Sequence, residues 1–158
     1  AAAPPPAEQN LRRSLPYAGY GQGQVLASPL RMARVASAIA SGGALRDVRV
    51  ALEPSRPDVP PTRWISASAA DQLGRYMREV VTRGTGRVLA GHQVPIAGKT
   101  GTAEVDGAPS HSWFVGFAPY RGEGRTIAFA VILENAGYGG RAAASLAGEI
   151  VQAAGALE

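Results

Sequence analysis

Between Ile96 and Tyr120 the chain reads IAGKTGTAEVDGAPSHSWFVGFAPY, and this stretch holds its one lysine, Lys99, against fifteen arginines. Three readings fit a lysine set among glycines and hydroxyls. A phosphate-gripping loop needs GxxxxGK followed by Ser or Thr. Gly98-Lys99-Thr100 meets only the end of that pattern, because position 93 is Gln93, Gly91 lies too far back, and Val94-Pro95-Ile96 suits a strand. A solvated strand end is the plain alternative, since lysine is most often a surface charge. The third reading is a binding edge. A strand through Lys99, Thr100, Gly101 and Thr102 offers a positive charge, two hydroxyls and a row of backbone N–H and C=O groups, and the period of two puts Thr100 and Thr102 on one face. That arrangement suits a peptide that adds itself as a strand and ends in a carboxylate: the two hydroxyls donate to it and Lys99 keeps the local field positive. The N–H of Thr102 is then placed to face a developing oxyanion.

The neighbouring residues have plainer readings. His111 is the candidate general base, but no partner for it is identifiable and a strand-start histidine is the commoner case. Glu104 is a candidate rim residue or a solvated strand carboxylate. Trp113 and Phe117 share strand parity and read as packing. His92 and His111 stand without a carboxylate at ligand spacing, so no metal is expected, and nothing calls for an organic cofactor. The chain has no cysteine, which excludes disulfides and thiolate chemistry within it. Its formal net charge of +4 comes from arginines scattered singly, apart from Arg12-Arg13. They do not alternate with aromatics as a nucleic-acid platform would, so no nucleic-acid partner is expected. The basic balance tolerates an acidic polymer or membrane surface nearby.

The elements that must position Lys99 follow from periodicity. The 158 residues, 46% of them apolar, suffice for one domain or a large piece of one. Residues 1–16, opening AAAPPPAEQN, read as an extended linker or chain end. Gly19, Gly21 and Gly23 mark a loop; Ser28 caps a helix with Pro29 at its first position, carrying a stripe of Leu30, Ala33, Val35, Ala36, Ile39 and Ala40 that ends at Gly42-Gly43. Residues 44–63, with four prolines, suit an edge strand or surface excursion. Ser68 and Asp71 form an expected capping box ahead of a helix that buries Leu73, Met77, Val80 and Val81 and stops at Gly84 and Gly86. Three strands follow, in Val94–Glu104, HSWFVGFAPY and RTIAFAVILEN, joined by turns short enough for antiparallel pairing. The last two are apolar on both faces, which calls for helices on both sides of the sheet, and Arg141–Ala154 supplies one. The fold class is α/β: a mainly antiparallel sheet flanked by helices. Three strands make a narrow centre for so much apolar surface, so part of the sheet is expected elsewhere. Leu157-Glu158 reads as a candidate vector-derived end.

Three blocks, GQGQVLASPLRMARVASAIASGG, VPIAGKTGT and SWFVGFAP, in this order, resemble the C-terminal half of the transpeptidase domain of class B penicillin-binding proteins, within the serine DD-transpeptidase and β-lactamase-like superfamily. The resemblance covers residues 17–156. It implies a cleft where three motifs meet: SxxK with the nucleophile, SxN, and KTG. The third falls on Lys99, Thr100 and Gly101, with Thr102 supplying the oxyanion donor from its backbone, Thr100 and Thr102 holding a terminal carboxylate, Glu104 at the rim, and Gly21-Gln22-Gly23 in support. The departure matters as much. No serine stands three residues before Lys99 and no Ser-x-Asn occurs, so this chain alone is not expected to acylate.

The implied partners are peptidoglycan stem peptides ending in D-Ala-D-Ala, β-lactams that mimic them, cell-wall synthesis proteins, and the remainder of the same domain bearing SxxK and SxN, on this or a second polypeptide. The implied location is the extracytoplasmic face of the bacterial membrane, with an anchor ahead of Ala1. A D,D-carboxypeptidase or β-lactamase-like hydrolase shares the KTG chemistry with water as acceptor; a non-catalytic peptide-binding module is the reading outside enzymes.

Overall fold

A computed structural model describes residues 6–22, 25–48 and 59–155. Its centre is a three-stranded antiparallel sheet in the order β3 (Ala97–Val105), β4 (Ala108–Ala118), β5 (Ile127–Leu133). Asp106-Gly107 makes the first hairpin turn, with Gly107 at φ +72°, a conformation that costs glycine little. The register pairs Thr100 with Phe114 and Phe114 with Val131, and one step along pairs Lys99 with Val115 and Val115 with Ala130. Because side chains alternate, these two rows lie on opposite faces of the sheet.

Each face has its own cover. On the Phe114 side, Phe129 and Val131 pack with Ala143, Ala144, Ala147 and Val151 of α4 (Ala142–Gly155), whose alanines let the helix lie close. The Phe114 and Phe129 rings stack 6.2 Å apart. On the Val115 side, Phe117, Ala97 and Ala128 meet Met77 of α3 (Ala67–Thr82) and Ile39 and Ala40 of α2 (Pro29–Ala40). The α3 helix serves both cores: Met77 joins one and Val81 the other. It is fastened to the start of β3 by Arg78, whose Nη1 donates to the Ile96 carbonyl at 2.7 Å. The expected antiparallel sheet with helices on both faces is therefore what forms.

Other expectations are corrected. The proline-rich start is not an extended linker through residue 16, since α1 runs Pro6–Ala18, with Pro16 inside it; residues 1–5 lie outside the described residues. The cap of α3 is Ser66, which accepts from the Ala69 N–H at 3.1 Å, rather than Ser68. Asp71 does not reach back to a cap; it pairs with Arg75 and Arg121. On α3 the buried set is Ala70, Gly74, Met77 and Val81, while Leu73 is exposed; on α2 it is Ala36 and Ala38, with Leu30 exposed. Residues 44–63 contribute a separate ribbon, β1 (Ala44–Leu45) with β2 (Thr62–Arg63); residues 49–58 lie outside the described residues.

Candidate active-site edge

Among the described residues β3 has β4 on one side and no strand on the other. What the open side presents can be read from its hydrogen bonds. The Thr100 carbonyl accepts from Lys99 Nζ at 2.7 Å, and the Thr102 carbonyl accepts from Gln22 Nε2 at 3.4 Å. Neither donor belongs to β4: Lys99 Nζ is a side-chain group of β3 itself and Gln22 lies outside the sheet. A strand residue directs its N–H and C=O to the same side, so Thr100 and Thr102 turn their backbone groups to the open edge, while Lys99 and Gly101 pair with β4. The Thr102 N–H thus stands at the open edge, where the oxyanion reading needs it.

The side chains divide by face. Lys99 and Gly101 lie on the Val115 face and Thr100 and Thr102 on the Phe114 face. Lys99 is exposed and has no acidic partner among the described residues. Thr100 is only 8% exposed, and its hydroxyl lies 2.6 Å from that of Thr85. Thr102 is exposed; its Oγ1 accepts from the Gly139 N–H at 3.3 Å, which leaves the hydroxyl proton free to be donated. Glu104 is exposed and sits where the β3–β4 register slips by a residue, near the hairpin end.

Glycines make the edge thin from behind. A Cβ at Gly98 would run into the Phe114 ring, so the ring fills the space a side chain would take. Gly139 and Gly140 let the loop after β5 lie directly on Gly101 and Thr85; a Cβ at Gly140 would sit 2.6 Å from the Thr85 carbonyl. Ser112, fully buried, holds the same loop: its Oγ donates to the Tyr138 carbonyl at 3.3 Å and accepts from the Ala143 N–H at 3.1 Å.

The histidines are occupied with structure. His111 Nδ1 accepts from the Asn135 N–H at 3.0 Å, across the turn where Asn135 takes φ +54°. That lone pair is in use, and His111 does not meet Lys99 in register. His92 Nδ1 lies 3.0 Å from the Val94 carbonyl and 3.1 Å from the Val94 N, and Nε2 lies 3.1 Å from the Gly148 carbonyl of α4, so both ring nitrogens are held by backbone. Trp113 and Phe117 share the Val115 face, Phe117 buried in the core and Trp113 half-buried beside Gly101. Among the described residues no cluster of side chains could hold a metal.

Two residues with a part in the edge carry weak signals in the sequence. Thr85 stands in Gly84-Thr85-Gly86, which reads only as a helix stop. Gln22 belongs to a block that stands out, yet nothing local says that its amide reaches Thr102, 80 residues on.

Among the described residues, a sheet covered on both faces carries Lys-Thr-Gly-Thr on an unpaired edge, with a glutamine loop laid against it. The chain belongs to the penicillin binding protein transpeptidase domain family, whose profile matches residues 4–152. It is 30% identical over 161 residues to a peptidoglycan D,D-transpeptidase, MrdA, of Haemophilus influenzae, covering 84% of this chain and 24% of the relative. Among solved structures it is similar to penicillin-binding protein A of Mycobacterium tuberculosis in its imipenem acyl-enzyme complex, with TM-score 0.69 and 31% identity over 89% of this chain and 34% of that one. It is also similar to a chain of a peptidoglycan synthase complex that coordinates polymerization and crosslinking, with TM-score 0.65 and 29% identity over 94% of this chain and 27% of that one. The chain thus spans about a quarter to a third of the length of the curated relatives it matches.

Proposed function

We propose that this chain is the C-terminal portion of a serine-type peptidoglycan D,D-transpeptidase, inactive alone because SxxK and SxN lie outside it. The observation that carries the reading is the open edge of β3: Thr102 turns its backbone N–H outward, Lys99 stands beside it, and Gln22 of the GQG loop meets the Thr102 carbonyl.

The chemistry follows from that edge. A stem peptide ending in D-Ala-D-Ala lies along β3 as an added strand, its carbonyl held at the Thr102 N–H. The serine of the absent motif, its proton taken by the lysine of the same motif, attacks the penultimate D-Ala carbonyl. The oxyanion that forms is stabilised by the Thr102 N–H. As the C–N bond breaks, the terminal D-Ala leaves as a protonated amine. The acyl group then passes to an amine of a neighbouring stem, which forms the crosslink and returns the serine proton. Lys99 keeps the field at the edge positive and relays protons through the SxN hydroxyl, and Thr100 and Thr102 mark the carboxylate face. A β-lactam enters in place of the donor and stays as the acyl-enzyme.

The partners that fit are stem peptides, β-lactams, the SxxK- and SxN-bearing remainder of the domain and other cell-wall synthesis proteins. The location is the extracytoplasmic face of the membrane, reached through a segment outside this chain; among the described residues no helix is long and apolar enough to cross a membrane.

The test is intact-mass spectrometry of the complete protein, denatured, before and after a fluorescent penicillin. An adduct on the polypeptide bearing SxxK is expected, and a complete protein that gains no mass overturns the reading. In that protein Lys99→Ala should slow acylation by orders of magnitude without loss of fold, because its side chain is exposed. An unchanged rate would remove Lys99 from the mechanism.

A further inference from the structure

The open edge of β3 is already occupied by its own chain. Two of its outward carbonyls accept from side chains, Thr100 from Lys99 Nζ and Thr102 from Gln22 Nε2. An unpaired row of strand carbonyls is a template for any other strand, and proteins blunt such an edge by covering it. The Gln22 amide is aimed by the backbone that carries it. After α1 the chain folds back on the helix end: the Gly19 N–H donates to the Leu15 carbonyl at 3.0 Å and the Gln22 N–H to the Tyr17 carbonyl at 2.9 Å, with Gly21 between them at φ +82°. The bond that results at Thr102 is long, 3.4 Å, at the weak end of hydrogen-bond geometry. A side chain held in place by its backbone but bonded weakly at its tip covers the edge and gives it up to a better donor.

We propose that Gln22 is a displaceable edge cap: its amide occupies the Thr102 carbonyl while the cleft is empty and must be released before the backbone of a donor peptide can pair there. The proposal rests on the transpeptidase reading for its ligand. In an antiparallel pair one residue exchanges both bonds with its opposite number, so a peptide whose penultimate D-Ala carbonyl sits at the Thr102 N–H offers the N–H of that same D-Ala to the Thr102 carbonyl. Laid parallel, the N–H would have to come from two residues further on, beyond the end of the peptide. The two covered carbonyls are therefore not equivalent. Thr100 lies two residues back along β3, opposite a position past the terminal D-Ala, so the peptide brings no N–H to its carbonyl and Lys99 keeps its bond. Gln22 alone stands where the ligand's backbone must go. A ligand with an N–H at that position regains the bond it breaks; a ligand without one leaves the cap in place.

The experiment is equilibrium binding of two stem peptides to the complete protein with its SxxK serine mutated, so that no acyl-enzyme forms. One peptide ends in D-Ala-D-Ala. In the other, D-lactate replaces the penultimate D-Ala, which exchanges that N–H for an ester oxygen and keeps the scissile amide and the terminal carboxylate. Gln22→Ala should tighten the amide peptide about threefold, the scale of one weak exposed hydrogen bond, and leave the ester peptide unchanged. Gln22→Glu keeps the size of the side chain but, ionised, has no proton to donate, and should give the same gain of amide over ester. Weaker binding of the amide peptide by Gln22→Ala, an equal change for both peptides, no change for either, or a Gln22→Glu variant that behaves as Gln22 does overturns the proposal. Wild-type protein that no fluorescent penicillin acylates overturns the transpeptidase reading alone, because the amide–ester difference is read without chemistry.

Discussion

At the scale of single residues, the edge works because neighbouring side chains take separate duties. Thr100 sits nearly buried and bonded to Thr85, so its hydroxyl is a structural anchor before it is a ligand contact. Thr85→Val removes that partner and leaves the Thr100 hydroxyl poorly served. Denaturant unfolding should show a loss of about 1 kcal/mol, the scale of one intramolecular hydrogen bond. A second residue-scale expectation concerns acid. Asp71 is held below its ordinary carboxylate value of 3.8, chiefly by the hydrogen bond from Arg121, which desolvation opposes and to which the charges of Arg75 and Arg121 add lesser contributions. A depressed folded value stabilises the fold above the ordinary pKa, and that contribution fades as pH falls through the lowered one. Asp71→Asn should therefore cost a little stability at neutral pH and flatten the fall in melting temperature below about pH 4. Because the pair is exposed, the effect is small. An unchanged acid limb in the variant would show that the pair contributes nothing. Of these residues Lys99, Thr100 and Thr102 were legible in the sequence because they are contiguous on one strand. Thr85 was not, because its link to Thr100 exists only once the turn after α3 folds over the sheet.

At the scale of elements, Ser112 shows how one strand residue can organise a loop and a helix. Its hydroxyl takes the Ala143 N–H at the start of α4 and gives its proton to the Tyr138 carbonyl, so it does for α4 what a capping side chain just before the helix would do. Ser112→Ala would strand a buried N–H and a carbonyl together. The expected cost is ~1–3 kcal/mol, with faster hydrogen exchange at the first turn of α4; protection equal to wild type would refute this role. The element pattern was largely readable, since strands with β-branched and aromatic runs and a Ser-Pro helix start leave local marks. The failures were local marks with a stronger competitor. Three prolines suggested an extended start, although helix α1 begins only at Pro6, where a proline sits without penalty in the first turn. Ser66 and Ser68 both look like caps, and the backbone decides between them: Ser66 is extended at ψ 153°, while Ser68 lies inside the helix with its hydroxyl 3.1 Å from that of Ser66. Helix faces were misjudged where small residues did the packing. Ala36, Ala38 and Gly74 are buried under neighbours, while Leu30 and Leu73 face outward.

At the scale of the molecule, three strands with two covered faces leave apolar groups showing. Leu26 is 92% exposed, Tyr20 68% and Leu30 50%, and β5 has no strand on its outer side among the described residues. Expressed without the rest of the domain, the chain should self-associate and bind a hydrophobic dye. Co-expression with the SxxK-bearing segment should suppress both, as read by light scattering and fluorescence; a monomeric chain with no dye binding would show that its surface is already complete. The three-stranded sheet is what the sequence led one to expect, because each apolar run of strand length forms one strand and the links between them are short.

One feature of β3 reaches beyond its own chemistry. Its open edge has a cation above and hydroxyls below, because Lys99 and Thr100 leave the strand on opposite sides. Any residue laid along that edge meets two unlike surroundings across the plane of its backbone. Inverting the configuration at its α-carbon exchanges which substituent meets which, so the strand can tell mirror images apart before any bond is made.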